Sequence, residues 1–173
     1  GSALDGETEF LPGFEDKLSD YASTKFRPAE GNPDDTTVGA VTAYPLMRVE
    51  EMYFIQAEAA ARINEATGRS LLISFMTSYR DESYSTTAVG ESLIDEILFQ
   101  KRVELWGEGH AFFDIKRANL SVTRGYKGTN FSDAVRFNTK GRPAWMNLSI
   151  VQTEKNNNKA LIDWENPDPT TAY

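Results

Sequence analysis

The sequence predicts an all-α fold of two helical hairpins, with an irregular arm before them and an irregular tail behind. Three observations predict it. Apolar residues recur at steps of three and four through residues 45–118. Short breaks at Thr67-Gly68 and around Gly107 and Gly109 divide that stretch into helix-sized pieces. On either side, glycine, proline, asparagine and acidic residues interrupt every pattern.

Composition sets the outer limits. With 173 residues, 40% hydrophobic and 25% charged, the chain can bury a core of ordinary size and is read as one domain. The formal net charge of -8 opposes polyanionic partners, nucleic acid and anionic membrane surfaces, and Lys and Arg are read as scattered. The chain has no cysteine, which excludes disulfides, thiolate metal ligands and a cysteine nucleophile. No run of about 18 apolar residues offers a membrane-spanning helix. The first residues lack the charged start and apolar run of a signal peptide, and Gly1-Ser2 has the look of a cloning scar.

Residues 1–44 are the irregular arm. Pro12-Gly13, Pro28 and Gly31-Asn32-Pro33 mark turns, and Phe10, Leu11, Phe14, Tyr21 and Phe26 are its anchors. One short helix is expected over 14–22 and an extended approach over 38–43. Residues 45–118 are the helical core. Its first helix is expected to begin at Pro45, since a missing N–H costs nothing in a first turn. Leu46, Val49, Tyr53, Ala57, Ala60 and Ile63 form its apolar face, with Met52, Ile55 and Ala59 as a second row. Thr67-Gly68 is expected to end it, glycine taking the left-handed cap. Residues 69–81 supply the partner helix, through Leu71, Leu72, Phe75, Met76 and Tyr79, and the short corner favours an antiparallel hairpin. A polar loop at 83–90 leads to a third helix over 91–106 and a fourth over 111–118. Two successive hairpins make a tetratricopeptide-like pattern, although the consensus of about 34 residues is not met. Residues 119–173 are an irregular docked tail. It carries an extended segment at 144–151, a turn or loop at Asn156-Asn157-Asn158, and Phe131, Phe137, Trp145, Leu148, Ile150, Leu161 and Trp164 as anchors.

Residues 99–117 concentrate acids, aromatics and glycines. Glu104 and Glu108, four apart, share a helical face if the helix runs that far, and His110 and Asp114 follow. Paired carboxylates serve glycoside hydrolysis, and Glu104, Glu108 and His110 could ligate zinc, but neither spacing fixes a geometry. A lone histidine also makes a nucleophilic triad a poor fit. The stronger reading is a structural charge network of Arg48, Glu51, Glu58, Arg80, Arg102, Glu104, Glu108, Asp114 and Arg117, because a buried charge is tolerated only when paired. Trp106 is expected in the core. Catalysis, metals and cofactors are therefore not expected. The candidates for ligand binding lie in the tail: Tyr126, Asn130, Phe131 and Trp145, where aromatic faces can stack on sugar rings and amides can take hydroxyls. The competing reading is that these aromatics dock the tail by burial.

Several of these motifs, in this order, resemble the C-terminal part of the SusD/RagB family. The run from Tyr44 to Ala59, with Arg48, Glu51, Tyr53 and Ala57-Glu58-Ala59, is similar to the family's arginine–acid–tyrosine helix. Tyr79-Arg80 resembles the arginine closing its second helix. Gln100-Lys101-Arg102-Val103-Glu104-Leu105-Trp106-Gly107-Glu108-Gly109-His110 and Asp114-Ile115-Lys116-Arg117 resemble its most recognisable signature. Lys25-Phe26-Arg27 and the stretch from Ile150 to Asn158 are similar to its flanking segments. Gln100, Ala111 and Ile150-Val151 depart from the pattern. The resemblance covers about residues 20–173 and implies a Bacteroidetes outer-membrane, cell-surface lipoprotein. Such proteins bind an oligosaccharide or peptide nutrient and pass it to a SusC-like TonB-dependent transporter, without covalent chemistry. It further implies that this chain is a C-terminal fragment, lacking the lipid-anchor cysteine and upstream helical pairs. In the family the ligand site comes largely from loops outside these signatures. The alternative is a helical-repeat module for protein–protein interaction.

Overall fold

The computed structural model describes residues 25–26 and 44–161. The helix expected over 14–22, the extended approach over 38–43 and Trp164 lie outside the described residues. The described residues are helical, with no strand; the only sheet-type pairing among them is an isolated bridge between Thr123 and Asn138. The all-α expectation holds. The chain divides into two compact units, Gly1–Glu104 and Leu105–Tyr173.

In the first unit, α1 (Val49–Ile63), α2 (Glu65–Tyr79) and α3 (Glu91–Glu104) surround one core. α1 starts four residues later than expected. Arg48 is held extended at φ -131° and carries its side chain to Glu104, so Pro45 precedes the helix and does not open it. The break between α1 and α2 also differs. It falls at Asn64, whose extended backbone ends α1 and whose side-chain oxygen accepts from the Thr67 N–H at 3.0 Å, capping α2. Asparagine suits this place because its amide competes with the helical hydrogen bond and then caps the next helix. Gly68 is no cap. It lies buried inside α2, where a Cβ would overlap the backbone and side chain of Ala61. Glycine is needed there for close approach.

That approach sets which side of α1 is buried. Ala61 lies against Gly68, and Phe54 meets Phe75 edge-on at 4.9 Å. Tyr53 lies 6.1 Å from Tyr79. Numbers rise along one helix as they fall along the other, so the pair is antiparallel, as expected. The buried residues of α1 are Phe54, Ala57 and Glu58. Leu46, Val49 and Ile63, expected on the buried face, are exposed, as are Met52 and Ile55 of the second row. Apolar residues cover most of α1 outside the stripe of Glu51, Glu58 and Arg62, and the buried side takes in Glu58 of that stripe, so periodicity alone could not choose its core side. Leu72, Phe75 and Met76 of α2 and Leu93 and Ile97 of α3 complete the core. Each fully buried aliphatic or phenyl side chain contributes about 1.5–3 kcal/mol. The loop between α2 and α3 is tied to both. Glu65 accepts from the Gly90 N–H at 2.7 Å, Arg69 donates to Ala88 O, and the Tyr84 hydroxyl donates to Glu96 at 2.7 Å.

In the second unit, Gly107 and Gly109 both take positive φ, 78° and 86°, and α4 (His110–Arg117) follows. A side chain at either position would be strained. Trp106, expected in the core, is 54% exposed. α3 ends at Glu104, so the helical spacing that would have buried Trp106 no longer applies to it. The tail holds single 3₁₀ turns at Asp133–Val135, Ala144–Met146 and Lys159–Leu161, and a short helix α5 (Gln152–Asn157). The segment expected to be extended thus opens on a 3₁₀ turn, and Asn156 and Asn157 are helical where a turn or loop was expected. Its anchors also differ. Leu148 is fully exposed, Phe131 and Trp145 are about two-fifths exposed, and the buried tail residues include Thr139, Pro143 and Met146. Polar side chains do much of the pinning. Asn138 Oδ1 accepts from the N–H groups of Arg124 and Gly125 at 3.0 and 2.8 Å, and its Nδ2 donates to Gly125 O. The Val122 N–H donates to Thr139 Oγ1 at 2.8 Å, and that hydroxyl donates to Gly141 O.

Candidate functional site

Two clusters bear on function, one in each unit. The first centres on Glu104, the last residue of α3. Its Oε1 accepts from Arg48 Nη2 at 2.9 Å and from Arg80 Nη2 at 2.7 Å, and its Oε2 accepts from Arg80 Nε at 2.6 Å. Its carbonyl oxygen accepts from Arg48 Nη2 and from Lys25 Nζ at 3.0 Å. Glu50, which the sequence reading passed over, lies 3.3 Å from Arg48 and 3.5 Å from Arg80. The Arg80 hydrogen bonds, aided by Arg48, hold the Glu104 carboxyl below its ordinary range despite its burial. Glu104 in turn raises Arg80. A carboxylate ionised this firmly, with both oxygens taken by guanidinium groups, has neither a proton to give nor a lone pair poised to take one at neutral pH. The cluster joins the residue before α1, the residue after α2 and the end of α3.

The other residues of the expected network fall elsewhere. Lys101, 5% exposed, faces Glu51 across 3.9 Å. Buried Glu58 pairs with Arg62 along α1 at 2.7 Å. Arg102 is exposed and lies over the Phe99 ring. In the second unit Glu108 is buried, and buried Asp114 accepts from Arg117 Nε and Nη2 at 3.0 and 2.8 Å. Glu104 and Glu108 therefore belong to different units. Among the described residues no three His, Cys, Asp or Glu side chains are grouped to hold a metal ion.

The second cluster lies in the tail loops. The Arg124 guanidinium sits over two rings, 5.1 Å from the centre of Phe131 and 4.9 Å from that of Phe137. Phe137 meets Trp145 edge-to-face at 6.4 Å. Phe131, Arg124, Phe137 and Trp145 thus form one row. The hydrogen bonds of Asn138 and Thr139 hold together the two chain segments that carry Arg124 and Phe137. Of the four residues named from the sequence, Phe131 and Trp145 are in the row, while Tyr126 and Asn130 are exposed on the loop between Arg124 and Phe131. Sequence reasoning missed Arg124. A signal existed: residues 124–142 hold five basic residues and one acidic, a net of +4 within a chain of net -8. The basic residues are less scattered than they first look.

The family model for the SusD family matches residues 16–171, and the chain belongs to that family. Among solved structures, it is similar to a SusD-like carbohydrate binding protein from Bacteroides vulgatus. The TM-score is 0.54 at 24% identity, with 73% of this chain and 31% of that chain covered. That likeness concerns the fold, and the chain spans about a third of the other protein's length. No curated protein matches the chain.

Proposed function

We propose that this chain is part of a cell-surface protein that captures a glycan and delivers it to a SusC-like TonB-dependent transporter in the outer membrane. The observation that carries this reading is membership of the SusD family over residues 16–171. The carbohydrate binding ascribed to the similar Bacteroides protein supports it. In this reading Trp145 and Phe131 offer ring faces to a sugar, and Tyr126 and Asn130 take its hydroxyls. Large half-exposed aromatics supply much contact area with little entropy to lose. The chain binds and does not catalyse. Its densest acidic feature supports that, since Glu104 and Asp114 are committed to arginines. A glycan array probed with the intact protein tests the reading. At least one oligosaccharide class is expected to bind, and Trp145→Ala is expected to weaken it about tenfold or more. An array with no bound glycan would refute it.

A further inference from the structure

We infer that the glycan carries a negative charge, a uronate carboxylate or a sulfate ester, and that Arg124 is the residue that reads it. This rests on the glycan-capture reading above and names the ligand class at that site. Most arginines of the second unit have their donors engaged. Arg117 is held by Asp114. Arg136 gives Nε and Nη2 to Phe131 O and pairs with Asp133 at 2.8 Å. The Arg142 side chain donates to Lys116 O. Arg124 differs. Among the described residues its guanidinium contacts only ring faces, those of Phe131 and Phe137, with no acceptor on its N–H groups and no acid paired with it.

Ring faces attract the charge of a guanidinium without using its N–H donors. A planar cation held this way is pre-set in orientation, and its donor edge suits the two oxygens of a carboxylate or sulfate. The same row ends in Trp145, a surface on which the neutral part of the sugar can stack. The surrounding segment points the same way. Lys127, Arg136, Lys140 and Arg142 give it a net of +4 with Arg124 and Asp133 counted, whereas the rest of the chain is acidic. A local positive field in an acidic chain favours a small anionic ligand over a long polyanion such as nucleic acid, which the overall charge repels.

The test is an array carrying neutral glycans beside their uronate and sulfated counterparts, with an oligonucleotide included, probed with the intact protein and with Arg124→Gln and Arg124→Lys. The expected result is acidic glycans bound about tenfold or more above their neutral counterparts, in line with one charge-assisted bidentate contact. Arg124→Gln should bring that ratio to within about threefold while neutral binding persists, and Arg124→Lys should keep part of it. The uronate and sulfate arms separate the two anions. Equal binding of neutral and acidic glycans would overturn the inference and leave glycan capture standing. No glycan bound at all would overturn both. An undiminished acidic preference in Arg124→Gln, or an oligonucleotide bound as tightly as the acidic glycans, would also overturn it. If Arg124→Gln fails to fold, the parent protein still decides. Rising ionic strength should weaken acidic binding selectively, and an equal salt response for neutral and acidic glycans would refute the charge contact.

Discussion

Glu104→Gln removes one charge from the centre of the first unit and leaves the side-chain shape almost unchanged. Glu104 is 13% exposed, Arg48 24% and Arg80 32%. Breaking a fully buried pair by removing one partner costs about 3–5 kcal/mol, and an exposed pair about 0–1. The carboxylate is nearly buried and the arginines are half-buried, so the expected cost is about 2–3 kcal/mol. Glutamine keeps one acceptor oxygen but offers an amide N–H₂ toward Arg80, and Glu50 alone is left as counter-charge to both guanidinium groups. At about 2–4 °C per kcal/mol for a chain of this size, Tm should fall by roughly 4–12 °C in a thermal melt at neutral pH. The pH dependence gives an internal control. The folded Glu104 carboxyl lies below its unfolded value, so its stabilisation is fully present above the ordinary glutamate range. It is lost as pH falls below about 4.3 and on through the lowered folded value. The gap in Tm between parent and variant should therefore narrow on acidification in that window. A variant melting within about 1 °C of the parent at neutral pH, or a gap that does not narrow, would refute the clamp.

Gly68→Ala tests the close approach of α1 and α2. In an open helix this change stabilises by up to about 1 kcal/mol. Here the new methyl meets Ala61, so a net loss of about 1–3 kcal/mol is expected in denaturant melts; a gain would show that the helices part freely. Asn64→Ala should cost about 1 kcal/mol through loss of the α2 cap, read as a lower urea midpoint at unchanged slope. Arg102→Ala should change stability by no more than about 0.5 kcal/mol, because the side chain is exposed on Phe99. Ile97→Ala, at a fully buried position of α3, should cost about 2–5 kcal/mol in the same melts.

Much of the helical fold was legible because period and punctuation agreed. Leu72, Phe75 and Met76 lie buried at the spacing that predicts α2, and Ile94, Ile97 and Leu98 at that of α3. The errors have local physical causes. Arg48 and Asn64 set the limits of α1 through side-chain bonds that a hydropathy pattern does not carry. Gly68 looked like a stop because glycine ends helices more often than it admits a neighbour. α1 is apolar over most of its circumference, and its buried side includes Glu58 of the stripe shared by Glu51, Glu58 and Arg62, so hydropathy alone points away from the side that is buried. The partners of Glu104 were legible as residue types, but not Glu50's share in them. In the tail, Phe131 and Trp145 stood out as aromatics. Their link through Arg124 and Phe137 could not be read, because it depends on a bridge and side-chain amides that bring residues 13 to 17 positions apart together.

One comparison separates scaffold from binding surface: calorimetric titration of the best array glycan into Glu104→Gln and Trp145→Ala, below the melting range of both. Glu104→Gln should melt early yet bind as the parent does, and Trp145→Ala should melt near the parent yet lose most of its affinity. The reverse pattern, with binding lost at Glu104 and kept at Trp145, would mean that the arginine clamp, and not the tail loops, is the site.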